Sequence, residues 1–133
     1  MKTEPNEVDR EAASLFEPAP GMRVAYRSIF HGRVKVEWCR VRDGRNCIYG
    51  GVDAIDTDDP ATVGCMLAQV EDAAEGSGVT IADRRLTIPG DQHRRFMVVI
   101  DHAEGHQTTA TGQTRGAALV AVMRNMKGVN HGQ

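Results

Sequence analysis

The sequence predicts an α+β fold: an antiparallel β-sheet with two amphipathic helices packed on one face, in the order β-β-β-α-β-β-β-α. Three observations carry this reading. Residues 22–38 alternate apolar and polar side chains over two strand lengths, the period of half-buried strands. Val63, Met66, Leu67 and Val70, and later Leu119, Val122, Met123 and Met126, recur at the spacing of one helix face. Between these helices, Phe96–Ile100 is a nearly continuous run of strand-forming residues, followed by a Gly-containing turn and a Thr-rich segment.

The chain has 133 residues, enough for one domain with a real core. Residues 1–21 read as an N-terminal arm, 22–128 as a single α+β domain and 129–133 as a tail. In the arm five acids outnumber two bases, and Pro18, Pro20 and Gly21 end it. A partly disordered tail is one expectation for it, and packing on a partner subunit the other. In the second case Leu15 and Phe16 supply the contact of a homodimer.

The domain then builds element by element. Met22, Val24 and Tyr26 alternate with Arg23, Ala25 and Arg27 in a first strand. His31-Gly32 makes a turn, and Val34, Val36 and Trp38 alternate with Arg33, Lys35 and Glu37 in a second. Asp43-Gly44 is a hairpin signal, and residues 46–52 form a third strand with Gly50-Gly51 near its end. Asp59 reads as an N-cap with Pro60 at the first helical position; Asp53, Asp56 and Asp58 favour the positive helix end rather than a metal, because EF-hand spacing is absent. The helix runs over 60–74 and stops at Gly76. Val79 and Ile81 begin a fourth strand, and Pro89-Gly90 makes a turn. A polar loop over 92–95 leads into the hairpin that turns at Glu104-Gly105. Thr114 caps the last helix and Gly128 is placed as its C-terminal stop.

That last segment carries a motif: Gly112, Thr114, Ala117, Ala118 and Leu119, then an apolar-rich helix with Met123 and Arg124. It resembles the end of the small phage proteins that carry the phage ABA sandwich domain. It is similar, more loosely, to the strand-turn-strand-helix of HicB-like antitoxin domains. The resemblance covers the last quarter of the chain and implies a turn, a helix start and a phage or mobile-element origin. It implies no catalytic residue.

Composition narrows the function. The net charge of −2 fits neither a DNA mimic nor a histone-like binder. No apolar run approaches the roughly 18 residues of a membrane span, and residues 1–21 lack a signal-peptide core, so a cytoplasmic protein is expected, in the host cell if phage-encoded. Cys39, Cys47 and Cys65 show neither disulfide nor zinc spacing and are expected as reduced thiols, the first two facing one another across a hairpin. No Ser-His-Asp set, phosphate loop or dinucleotide fingerprint appears, and no metal or other cofactor is expected. His102 and His106 bracket a Gly-containing turn and are expected at a hairpin tip.

Charge is unevenly spread. Residues 23–45 hold seven bases against two acids, and residues 46–83 hold eight acids and no Lys or Arg. Arg23, Arg27, Arg33 and Lys35 are expected to share one sheet face, with Tyr26 and Trp38 turned to the core. Arg84, Arg85, His93, Arg94 and Arg95 form a second basic group in loops. The favoured expectation is a non-enzymatic binding protein of a phage, an inhibitor of a host protein such as a defence component. The alternative is nucleic-acid binding through the basic hairpin face, against the plain reading of a solvated surface. A nucleotide or other small molecule near Gly50-Gly51 and residues 92–95 is a third class.

Overall fold

His31 and Gly32 take φ of 52° and 75° and join two eight-residue strands, β1 (Arg23–Phe30) and β2 (Arg33–Arg40), in a long antiparallel hairpin. Positive φ at both turn residues matches the right-handed twist of the strands they connect. This is seen in a computed structural model that describes residues 2–42, 51–85 and 89–131. The Asp43-Gly44 turn, Cys47, Gly50 and most of the expected third strand lie outside the described residues. The chain divides into two compact units, 1–65 and 66–133, with the boundary inside one helix.

The first unit contains the hairpin, a two-residue strand β3 (Ala54–Ile55), and the start of α2 (Pro60–Ala73). The expected arm is partly a helix of this unit, α1 (Glu7–Leu15), packed against β3. A capping box starts it: Asp9 N–H donates to Asn6 Oδ1 at 2.9 Å, and Asn6 N–H donates to Asp9 Oδ2 at 3.1 Å. Strand order is β2-β1-β3, all antiparallel. Asp59 caps α2 as expected, its Oδ2 accepting from Thr62 N–H at 3.0 Å.

The second unit holds β4 (Gly78–Asp83), a short 3-10 helix (Pro89–Arg94), β5 (Phe96–Asp101), β6 (Gln107–Gly112) and α3 (Arg115–His131). Its sheet has the order β4-β5-β6, again antiparallel. The class is therefore α+β as expected, but the strands among the described residues form two three-stranded sheets rather than one. The run at 96–100 is buried on a single face: Phe96, Val98 and Ile100 are covered, while Met97 and Val99 are half-buried. Helix α3 lies on β5 and β6 and buries Leu119, Val122 and Met123. A fully buried side chain of this kind contributes roughly 1.5–3 kcal/mol. Thr114 caps α3 through Ala117 N–H at 3.1 Å. The helix continues through Gly128, contrary to the expected stop; an interior glycine costs about 1 kcal/mol against alanine and does not by itself end a helix. Among the described residues, no helix is long and apolar enough to cross a membrane.

Candidate functional site

Among the described residues, the β1–β2 hairpin reaches well past β3, the other strand that pairs with it. β3 pairs with Val24 and Ala25, at the base of β1, so the distal half of the hairpin is a two-stranded ribbon among the described residues. Its side chains show it. Ile29 is 77% exposed, Phe30 69%, Val34 65% and Val36 41%, and these are the large apolar side chains most open to solvent among the described residues. Single exposed apolar residues are ordinary, but a cluster on one projecting element marks an interaction surface.

The register sorts the hairpin into two faces. A two-residue turn pairs each odd-numbered residue of β1 with an even-numbered residue of β2, and directly paired residues share a face. Arg23, Ala25, Arg27 and Ile29 therefore lie with Val34, Val36, Trp38 and Arg40. Val24, Tyr26, Ser28 and Phe30 lie with Arg33, Lys35, Glu37 and Cys39. The expected common face of Arg23, Arg27, Arg33 and Lys35 does not form; the four divide two and two. The inside-outside alternation expected within each strand does not hold either: Ala25 is buried, whereas Val34 and Val36 are exposed, and the two patterns are offset by one across the turn. Tyr26 and Trp38 are half-buried, on opposite faces.

The basic residues also differ in what they touch. Arg23 is internal to its unit: its guanidinium pairs with Asp56 and sits 4.5 Å from the centre of the Trp38 ring. Arg27 is exposed, 3.4 Å from Asp53. Arg33 and Lys35 are exposed beside Phe30, whose ring meets His31 edge-on at 4.3 Å. The distal hairpin thus presents apolar side chains rimmed by cations. The acids of 53–59 serve as partners for bases. Lys2 Nζ lies 2.7 Å from Asp9, 3.4 Å from Asp56 and 2.8 Å from Asp58, and Arg40 makes two bonds to Asp59 at 3.0 and 3.1 Å. The Arg40 hydrogen bonds hold the Asp59 carboxyl down at about 2.

The second basic group is brought together at one end of the β4–β5 pair, and much of its charge is already matched. Arg95 grips Asp83 at 2.9 and 3.0 Å, which holds the Asp83 carboxyl at about 2, and its guanidinium also lies over Phe96. Arg94 pairs with Asp91 at 2.7 Å, Arg84 donates to the Arg94 carbonyl at 3.4 Å, and Arg85 stands 3.9 Å from Asp83. His93 is exposed. Of the expected dimer contact, Phe16 is 3% exposed in the single chain and Leu15 is half-buried, so the phenyl ring offers little surface to a second copy.

His102 and His106 do sit at the turn of the β5–β6 hairpin, where their rings stack at 4.2 Å. His102 Nε2 is 2.7 Å from the Thr108 hydroxyl. Together with Met123, Met126 and Lys127 they border an open cavity of about 640 Å3. Stacked rings direct their in-plane lone pairs side by side, not toward a common point, and no group of three or more His, Cys, Asp or Glu among the described residues could hold a metal. Nothing matches this chain among protein-family models, curated proteins or solved structures.

Proposed function

We propose that this chain is a non-enzymatic binding protein that docks on a partner protein through the distal β1–β2 hairpin. The observation that carries the reading is the clustering of Ile29, Phe30, Val34 and Val36 on one projecting ribbon. Arg27, Arg33 and Lys35 around them favour a partner with an apolar cleft and an acidic rim, because rim charges steer encounter while buried apolar anchors supply most of the affinity. The C-terminal motif supports a phage or mobile-element origin, and occupation of a host protein, a defence component included, is the mode of action we put forward. Affinity capture from bacterial lysate tests it with two baits, wild type and Ile29→Asp/Phe30→Asp. The expected result is a stoichiometric protein held by the first bait and lost with the second, at equal thermal stability. Equal recovery on both baits, or none on either, overturns the reading.

A second reading, nucleic-acid binding, has one specific observation in its favour. Phe30 shares a ribbon face with Arg33 and Lys35, and two-stranded ribbons with apolar tips can enter a DNA groove. Titration of duplex and single-stranded DNA at low salt decides it, since phosphate-led binding must weaken steeply as salt rises.

A further inference from the structure

One end of the second unit collects arginines from three elements. Arg84 and Arg85 follow β4, Arg94 and Arg95 precede β5, and Arg115 opens α3. The register brings them together. Asp83 at the end of β4 pairs with Phe96 at the start of β5, and Phe96 pairs with Gly112, just before the Thr114 cap of α3. Phe96 gathers two of them directly: the guanidinium carbons of Arg95 and Arg115 lie 4.9 and 4.7 Å from the centre of its ring. Arg84, Arg85, Arg94 and Arg115 are exposed, and Arg95 is half-buried.

Two carboxylates stand among these five cations. Asp83 accepts from Nε and Nη2 of Arg95 and lies 3.9 Å from Arg85, and Asp91 pairs with Nη2 of Arg94. Arg84 donates to the Arg94 carbonyl and Arg115 rests on Phe96; among the described residues neither pairs with a carboxylate. Five cations less two anions leave an excess of three positive charges. Residues 86–88 lie outside the described residues and are Leu, Thr and Ile, which add no charge. The ion pairs also leave donors over, since a guanidinium has five N–H groups and Arg95 gives two of them to Asp83. The start of α3 adds its partial positive charge at the same end. Asp101 and Glu104 stand at the opposite end of the sheet, around the β5–β6 turn.

We propose that this arginine end of the second unit binds duplex DNA along its phosphate backbone, without reading sequence. The cations are all arginines, whose planar fork matches phosphate oxygens better than an ammonium does. The aromatic ring among them, Phe96, is 6% exposed beneath its two guanidiniums, so it offers no platform on which unstacked bases of a single strand could lie. Guanidiniums without a stacking surface fit the outside of a duplex, where contacts to phosphate position the protein and carry no base preference. No residue of the β1–β2 hairpin takes part, so docking there and DNA binding here stand or fall separately.

The test is fluorescence anisotropy of a short labelled duplex of mixed sequence, titrated with the full chain at salt concentrations from about 20 to 200 mM. Wild type should lose affinity with a slope of about −3 to −4 in log K against log salt. Arg84→Gln/Arg115→Gln removes two cations that hold no carboxylate; it should flatten the slope by about two and weaken binding at the lowest salt at least about tenfold. Asp91→Asn releases Arg94 and should tighten binding several-fold, a gain that unfolding cannot produce. Arg33→Gln/Lys35→Gln, on the hairpin, should stay within about twofold of wild type. The proposal is overturned if wild type does not bind at the lowest salt, if the Arg84/Arg115 variant binds as wild type does, or if Asp91→Asn brings no gain. Loss confined to the hairpin variant overturns it too, as does equal or tighter binding to the single strand or to polyglutamate.

Discussion

The Asp9 carboxylate of α1 accepts a hydrogen bond from the Thr57 hydroxyl at 2.7 Å, across 48 residues of sequence. The same carboxylate accepts from Thr57 N–H at 3.1 Å, closes the capping box with Asn6 and pairs with Lys2, while having no solvent exposure. One side chain therefore starts the first helix, fixes the loop after β3 and neutralises Lys2. Removing one partner of a buried pair leaves the other uncompensated, at roughly 3–5 kcal/mol. Asp9→Ala is expected to destabilise the first unit by that amount, and Lys2→Met by less, because the Thr57 and Asn6 bonds survive. Urea unfolding followed by Trp38 fluorescence measures both; a loss below about 1 kcal/mol for Asp9→Ala would contradict this account.

Acid should weaken the fold over a defined range. Burial pushes the Asp9 carboxyl up, but hydrogen bonds from Lys2, Thr57 and Asn6 outweigh it and the net shift is down; Asp59 lies at about 2. A folded pKa below the unfolded value near 3.9 means the unfolded chain binds more protons in that interval. The stabilisation from these groups is complete above about pH 5, declines as pH falls through 4, and for Asp59 is gone near its folded value. Denaturant midpoints between pH 2 and pH 7 should show this fall, and Asp59→Asn should flatten part of it. At neutral pH the same variant loses the charged Arg40 pair but keeps a capping oxygen for α2, because asparagine caps as well as aspartate.

Gly112 ends β6 where the backbone meets the first turn of α3. A Cβ there would stand 2.4 Å from Ala118 N and 2.7 Å from the Ala117 carbonyl carbon. Both are backbone atoms and cannot move aside as a side-chain tip can. Gly112→Ala should therefore cost at least the roughly 1–3 kcal/mol of an overpacked core. Ala110→Gly on the same strand, which creates no clash, should cost about 1 kcal/mol through strand entropy and lost packing. A thermal melt that ranks the two in the opposite order would show that the strand-to-helix junction yields.

Much of this was legible from residue pattern alone. The helix stripes at 63–70 and 119–126, the Asp59 and Thr114 caps and the 105 turn are local signals, set by side chains within a few positions of one another. What escaped is non-local. Nothing near Asp9 in sequence announces that Thr57 will bury it, so residues 7–15 read as part of an arm, partly disordered or packed on a partner. The faces of the hairpin depend on turn length, and a two-residue loop reverses the parity that puts Arg33 beside Arg27. The exposed tip goes with β3 being two residues long, so that among the described residues no strand pairs with the distal half of the eight-residue strands. One signal was present all the same: Ile29 and Phe30 stand next to a tight turn, where apolar residues are the least easily covered.

The hairpin tip offers the sharpest separation of stability from function. Ile29 and Phe30 are 77% and 69% exposed, so folding has removed little of their apolar surface from water. Replacing both with aspartate should change unfolding free energy by no more than about 0.5 kcal/mol per site, the range of surface substitutions that touch no buried group. A docked hairpin would behave otherwise. Aromatic and aliphatic anchors in a partner's cleft typically cost 2 kcal/mol or more each when removed, a loss of about thirtyfold in affinity or greater. Arg33→Ala and Lys35→Ala, at the rim, should act mainly on association rate and on its salt dependence. Stopped-flow and equilibrium binding to the captured partner separate these effects. If the aspartate pair lowers stability by several kcal/mol, the hairpin tip is part of a core, and its exposure in the single chain is not what a partner meets.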